Sequence, residues 1–187
     1  GEQLRTHGRF SIDIVRTVAR HVLRALDAAH GANVLHRDIR PDALVLAPRS
    51  DGGISCRLTG FGLAKHLGDD EDDPTAITMT GQVVGSPAYM APETILKGIL
   101  EPRTDLYALG VTLYELLAGQ RPFPGDSLAD LLSAHVRGVP TPIVQHRGDV
   151  PPHFRMFLER MIAREPGRRF QSAQDALEAL EFEADTG

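Results

Sequence analysis

The chain has 187 residues, enough for one ordinary domain, with 42% hydrophobic and 24% charged residues, so a core can form and wholesale disorder is excluded. Twenty Lys and Arg against 25 Asp and Glu give a net charge of −5, which argues against a general nucleic-acid binder. The single cysteine, Cys56, excludes an internal disulfide framework and a multi-cysteine zinc site.

Residues 11–30 carry the first helical pattern. Ser11 is placed to cap it, and Asp13 falls in the first turn, where a negative charge is favoured. Val15, Val18, Ala19, Val22, Leu26 and Ala29 recur at three- and four-residue steps and define one apolar face, with Gly31 as the expected stop. Two apolar runs follow, Val34–Leu35 and Leu44–Leu46. Turn chemistry at 49–53 then precedes another run, Ile54–Leu58, and together these predict a small β-hairpin. Residues 69–73 are five consecutive acids, and Thr75, Thr78 and Thr80 come soon after. Such charge density predicts a solvated loop.

From Asp105 to Ala118 the chain is apolar almost all round, the pattern of a centrally buried helix, and Gly119 ends it. Further helices are expected at Ser127–His135, His153–Ala163 and Ser172–Glu181, where Ser172 and Asp175 have capping-box spacing. No run approaches the roughly 18 apolar residues of a spanning helix, and no signal peptide opens the chain. The histidines at 7, 21, 30, 66, 135, 146 and 153 are dispersed without metal-ligand spacing and read as ordinary. The expected fold class is α+β, predominantly helical.

Several short segments are more specific. His36-Arg37-Asp38-Ile39-Arg40-Pro41-Asp42-Ala43 lies between a helix and the hairpin. It is followed by Gly60-Phe61-Gly62, then by residues 85–93 (GSPAYMAPE), by residues 105–110 (DLYALG), and by residues 165–170 (EPGRRF). In order and spacing these segments resemble the C-terminal lobe of protein kinases, and most closely bacterial serine/threonine kinases of the eukaryotic-like type.

The resemblance implies a single kinase-like C-lobe over 1–187, with a catalytic-loop region at 34–46, an activation segment at 60–93 and a helical subdomain at 94–187. The N-terminal lobe, with its phosphate-covering loop and its lysine, has no counterpart before residue 36. The chain is therefore expected to be a fragment or a processed product. Asp38 matches the carboxylate that orients the substrate hydroxyl. Arg40 matches the next cation, usually lysine in the family, so its fit differs. His36 and Phe61 match stacking positions, and Asp105 matches the helix carboxylate that steadies the catalytic loop. Glu93 and Arg169 match a buried ion pair. Ser86 falls where a threonine near the substrate hydroxyl is usual. Thr75, Thr78 and Thr80 become candidate phosphorylation sites, and a phosphate there could pair with Arg37.

Two positions depart from the pattern. The family uses ATP with magnesium, and the expected magnesium ligands are an asparagine and an aspartate. Here Ala43 and Gly60 stand instead, and neither side chain has a ligand atom. Thr59 offers only a neutral hydroxyl, and Asp42 would need a shifted loop. Productive binding of ATP and magnesium by this chain is therefore not expected. Three functions remain open: a pseudokinase-like binding or regulatory module, part of an active serine/threonine kinase whose N-lobe lies upstream, or a non-functional fragment. The implied partner is a protein, as substrate or ligand, together with the missing N-lobe if the parent is longer. The expected location is cytoplasmic, although a longer parent could be membrane-anchored.

Overall fold

The computed structural model describes residues 8–61, the backbone of 65–66, and residues 85–182. The acidic run, Gly62 and the candidate phosphosites Thr75, Thr78 and Thr80 lie outside the described residues.

Helix α1, Ile12–Gly31, opens at Ser11, whose hydroxyl accepts from the Ile14 amide. Its buried side is Val15, Val18, Ala19, Val22, Leu23 and Leu26, the expected apolar face with Leu23 added. The helix does not stop before Gly31 but includes it. The left-handed turn falls to Asn33, with φ 58°, a residue that tolerates this backbone better than most.

Strands β2, Leu44–Pro48, and β3, Ile54–Leu58, form the expected antiparallel hairpin, with Leu44 opposite Leu58 and Leu46 opposite Cys56. The short strand β1, Val34–Leu35, pairs elsewhere, antiparallel to β4, Lys65–His66. That pairing joins segments about 30 residues apart, so no local pattern announces it.

Helix α2, Pro92–Lys97, is a short element with proline in its first turn. Helix α3, Pro102–Ala118, starts three residues earlier than the apolar run suggests, because Pro102 and the capping residue Glu101 set its first turn. Within it, every residue from Thr104 to Ala118 except Glu115 is buried. Helix α4 spans Leu128–Arg137, α5 Pro152–Met161 and α6 Ala173–Phe182. The Ser172 hydroxyl accepts from the Asp175 amide ahead of α6.

Packing follows from these faces. Helix α1 lies against α3, α6 and β3, and α3 in turn lies against α5. A Cβ at Gly110 would come within 2.6 Å of Met161 Cβ, so glycine is what lets α3 and α5 approach this closely. The result is the mostly helical, α+β arrangement expected from the sequence. Among the described residues, no helix is long and apolar enough to cross a membrane.

Candidate active site

The site is organised around the N-terminal turn of α3. Asp105 is 1% exposed, and its carboxylate is fully engaged. Oδ2 accepts from the His36 amide at 2.9 Å, and Oδ1 accepts from the Arg37 amide at 2.9 Å. His30, in the last turn of α1, donates from Nε2 to Oδ2, also at 2.9 Å. One buried carboxylate thus ties a helix end to two consecutive amides of the 36–43 loop. The loop needs this support, because Arg37 sits at φ 71°, a strained conformation for a non-glycine residue. Thr112 adds a second tie: its hydroxyl lies 2.8 Å from the Ala108 carbonyl and 3.3 Å from that of Ile39.

His36 is wholly buried, and its partners fix its tautomer. Nε2 faces the Thr59 carbonyl at 2.9 Å and must carry the proton, so Nδ1 accepts from the Asp38 amide at 3.3 Å. Phe61 meets the ring edge-on, with centroids 4.6 Å apart. His36 therefore spans the loop and the chain that follows β3.

Asp38 is held at both oxygens. Arg40 Nε donates to Oδ2 at 3.1 Å, and the Ser86 amide donates to Oδ1 at 3.2 Å. Arg40 also bridges outward, from Nη1 to Asp42 Oδ2 at 3.0 Å. Gly85 permits the approach of the 85–93 segment. Its φ is 91°, and a Cβ there would lie 3.0 Å from the Arg37 carbonyl. Ser86, 48 residues further along the chain, is thereby brought into one cluster with Asp38 and Arg40.

Ala43 and Gly60 face one another beside this cluster. A Cβ built on Gly60 would stand 3.9 Å from Ala43 Cβ and 3.9 Å from His36 Cε1. Thr59 brings the nearest hydroxyl in sequence, and it donates to the Ala43 carbonyl at 3.1 Å. Asp42 is turned toward Arg40. Among the described residues, no group of three or more His, Cys, Asp or Glu could hold a metal ion. Magnesium favours several hard oxygen ligands in octahedral array, and the residues at this corner do not fit it.

Glu93 and Arg169 meet as a buried fork. Nη1 to Oε1 is 2.7 Å and Nη2 to Oε2 is 2.8 Å. The other guanidinium protons go to the carbonyls of Ala163, Arg103 and Arg164. The guanidinium carbon lies 4.7 Å from the Tyr107 ring centre. All five donors of Arg169 are used, and its charge is paired.

Sequence reasoning passed over two histidines. His30 holds Asp105, and its only signal is a position at the end of an amphipathic helix. His135, in α4, is 1% exposed. It donates from Nε2 to the Ala88 carbonyl at 3.1 Å and accepts from the Tyr107 hydroxyl at 2.7 Å. Burial pushes its pKa down to about 4, so it is neutral at pH 7. It ties the 85–93 segment to both α3 and α4. Tyr89, from the same segment, donates to Glu115 Oε2 at 2.6 Å.

Comparison with known proteins agrees with this frame. The family described as the protein kinase domain matches residues 2–180. Serine/threonine-protein kinase pkn3 of Myxococcus xanthus is 38% identical over 163 residues, which cover 86% of this chain and 29% of that protein. Serine/threonine-protein kinase PknA of Mycobacterium tuberculosis is 32% identical over 177 residues, covering 95% of this chain and 38% of that protein. Serine/threonine-protein kinase PknL of the same species is 36% identical over 160 residues, covering 85% and 38%. The chain spans about a third of the length of these curated relatives. A match across nearly the whole chain, together with a helical lobe built on Asp105 and the Glu93–Arg169 fork, places this chain in the protein kinase family, among the bacterial serine/threonine kinases of eukaryotic-like type.

Proposed function

We propose that this chain is a kinase C-lobe that has lost phosphoryl transfer and serves as a pseudokinase-like module for binding or regulating a protein partner. The observation that carries the proposal is the corner at Ala43 and Gly60. In the family, magnesium ions bridge and neutralise the ATP phosphates. The side chains at this corner offer no carboxylate or amide oxygen to such an ion, and Thr59 and Asp42 are both turned to other partners. No step of transfer is therefore derived for this chain.

The protein-facing parts keep their architecture. The 85–93 segment is tied to Asp38 through Ser86, to α3 through Tyr89 and Glu115, and to α4 through Ala88 and His135. A segment anchored at three points presents a fixed surface to a protein ligand. Arg40 bridges the Asp38 and Asp42 carboxylates, so one guanidinium partly offsets the two negative charges of the loop.

The experiment is nucleotide binding with and without magnesium, on the longest gene product that contains this chain. The proposal expects magnesium to change ADP affinity less than twofold. It expects the double variant Ala43→Asn/Gly60→Asp to gain a magnesium dependence of tenfold or more. Tenfold tightening by magnesium in the unmodified protein would overturn it.

One arrangement favours a second reading, that of an active serine/threonine kinase supplied with its N-lobe and with another acid for the metal. Asp38, Arg40 and the Ser86 backbone are assembled as a substrate hydroxyl would require. Under that reading, Asp38→Asn abolishes a measurable transferase activity of the unmodified protein.

A further inference from the structure

A second cavity, remote from the loop at 36–43, lies between α3, α5 and the segment that joins α4 to α5. Its volume is about 250 Å³. Tyr114 of α3, Ile143 of the connecting segment, and Leu158 and Ile162 at the end of α5 supply its walls. Pro140 and Pro142 also line it, and they bring no amide N–H. The Thr141 amide is committed to the Pro122 carbonyl, and the Thr141 carbonyl accepts from the Tyr114 hydroxyl at 2.7 Å. The walls are thus apolar, and the polar backbone of their middle stretch is already engaged.

Two charged side chains stand at this cavity, Arg155 and Glu159, one helical turn apart on α5. Among the described residues, neither side chain makes an ion pair or a hydrogen bond. Neighbouring arginines do have partners. Arg160 lies over the Phe170 ring at 4.1 Å, and Arg164 donates to the carbonyls of Arg137 and Gly138. Arg155 is half-buried at the edge of the cavity, and Glu159, which also lines it, is exposed.

From this juxtaposition we infer that the cavity is a binding site for a small zwitterion with a large apolar side chain, an α-amino acid of the phenylalanine type. The charge pattern selects the head group. Arg155 takes a carboxylate through its guanidinium, and Glu159 takes the ammonium carried on the neighbouring carbon. A simple apolar acid would satisfy Arg155 and meet repulsion from Glu159, and an amine would meet the reverse. Size selects the side chain. An apolar cavity of about 150 Å³ admits benzene, so 250 Å³ holds a benzyl or indolyl group with room for the head at the mouth. The Tyr114 ring offers an aromatic wall for offset packing. Because Tyr114 and Asp105 belong to the same helix, a ligand here is expected to stabilise the helix that carries the loop at 36–43.

The test is calorimetric titration of the 187-residue chain with L-phenylalanine, 3-phenylpropanoate, phenethylamine, L-serine and N-acetyl-L-phenylalaninamide. L-phenylalanine is expected to bind, 3-phenylpropanoate and phenethylamine about tenfold or more weakly, and L-serine not at all. Arg155→Gln weakens L-phenylalanine about tenfold. Glu159→Gln also weakens it and closes the gap to 3-phenylpropanoate. Val139→Trp enlarges a side chain on the rim of the cavity at a position that is 83% exposed, so the fold is retained while the mouth is obstructed and binding weakens. At ten times its Kd, L-phenylalanine raises Tm by about 3–5 °C. No binding up to 10 mM overturns the inference, as does binding indifferent to Val139→Trp and Arg155→Gln. Equal or better binding of N-acetyl-L-phenylalaninamide also overturns it, since the site would then take a peptide segment and not a zwitterion.

Discussion

Replacing Arg169 with lysine keeps the charge and removes the fork. The guanidinium donates to both Glu93 oxygens and to the carbonyls of Ala163, Arg103 and Arg164, so five acceptors depend on it. An ammonium has three donors at most, which strands at least two of these acceptors. Each stranded buried acceptor costs about 1–3 kcal/mol, so the loss is about 2–6 kcal/mol with a midpoint near 4. The stacking over Tyr107 is lost as well. Against a total stability of about 5–15 kcal/mol, the variant is folded but marginal, and its Tm falls by about 8–16 °C for a chain of this size. Urea unfolding followed by far-ultraviolet circular dichroism measures this, with the midpoint lowered and the slope unchanged. The paired variant Glu93→Leu/Arg169→Met leaves no charge buried alone, but it strands the Ala163, Arg103 and Arg164 carbonyls, so it is expected to be no more stable than Arg169→Lys. A loss below about 1 kcal/mol in Arg169→Lys would refute the reasoning, since it would mean that the five acceptors find water or other donors at little cost.

Three further predictions concern the scaffold. Asp105→Asn leaves one acceptor oxygen for three donors and turns an amide N–H₂ toward another, so stability falls by about 2–3 kcal/mol. Hydrogen exchange at the His36 and Arg37 amides accelerates, and unchanged protection there would contradict the assigned role of Asp105. His135 titrates near 4 in the folded chain and near 6.5 when unfolded, so the unfolded state binds the extra proton between these values. Its contribution is fully present above pH 6.5 and declines as pH falls toward 4, by about 3 kcal/mol in all. A His135→Gln variant should show a shallower decline across that window, and parallel curves would contradict this. Gly110→Ala drives a methyl to within 2.6 Å of Met161 Cβ and costs about 1–3 kcal/mol by thermal unfolding, and a neutral result would show that α5 moves freely against α3.

The sequence made the helical scaffold legible where the signal is local. The apolar face of α1 repeats at helical spacing, and the run in α3 lacks a polar side, so their burial follows from pattern alone. Asp38 and Arg40, Asp105, and the Glu93–Arg169 pair stand out through the order of motifs and not through any single one. What stayed hidden depends on contacts across the chain. His30 is one polar residue at a helix end until Asp105, on another helix, comes within 2.9 Å. His135 reads as an ordinary histidine of a helix until its contacts with Ala88 and Tyr107 are in place. The β1–β4 pair is two residues long, too short for an alternating pattern to show. The start of α3 was misplaced because burial begins at Thr104, while the helix begins where Glu101 and Pro102 set the backbone.

The central claim is that the residues at 43 and 60 have removed the metal-binding half of the chemistry, while the fold around Asp38 persists. Its most direct measurement is transfer of the γ-phosphate from radiolabelled ATP, with magnesium, to a general acceptor such as myelin basic protein, by the longest unmodified gene product that contains this chain. The account predicts incorporation indistinguishable from that of the Asp38→Asn variant. Turnover in the usual kinase range of about 1–100 s⁻¹, abolished by Asp38→Asn, would contradict it.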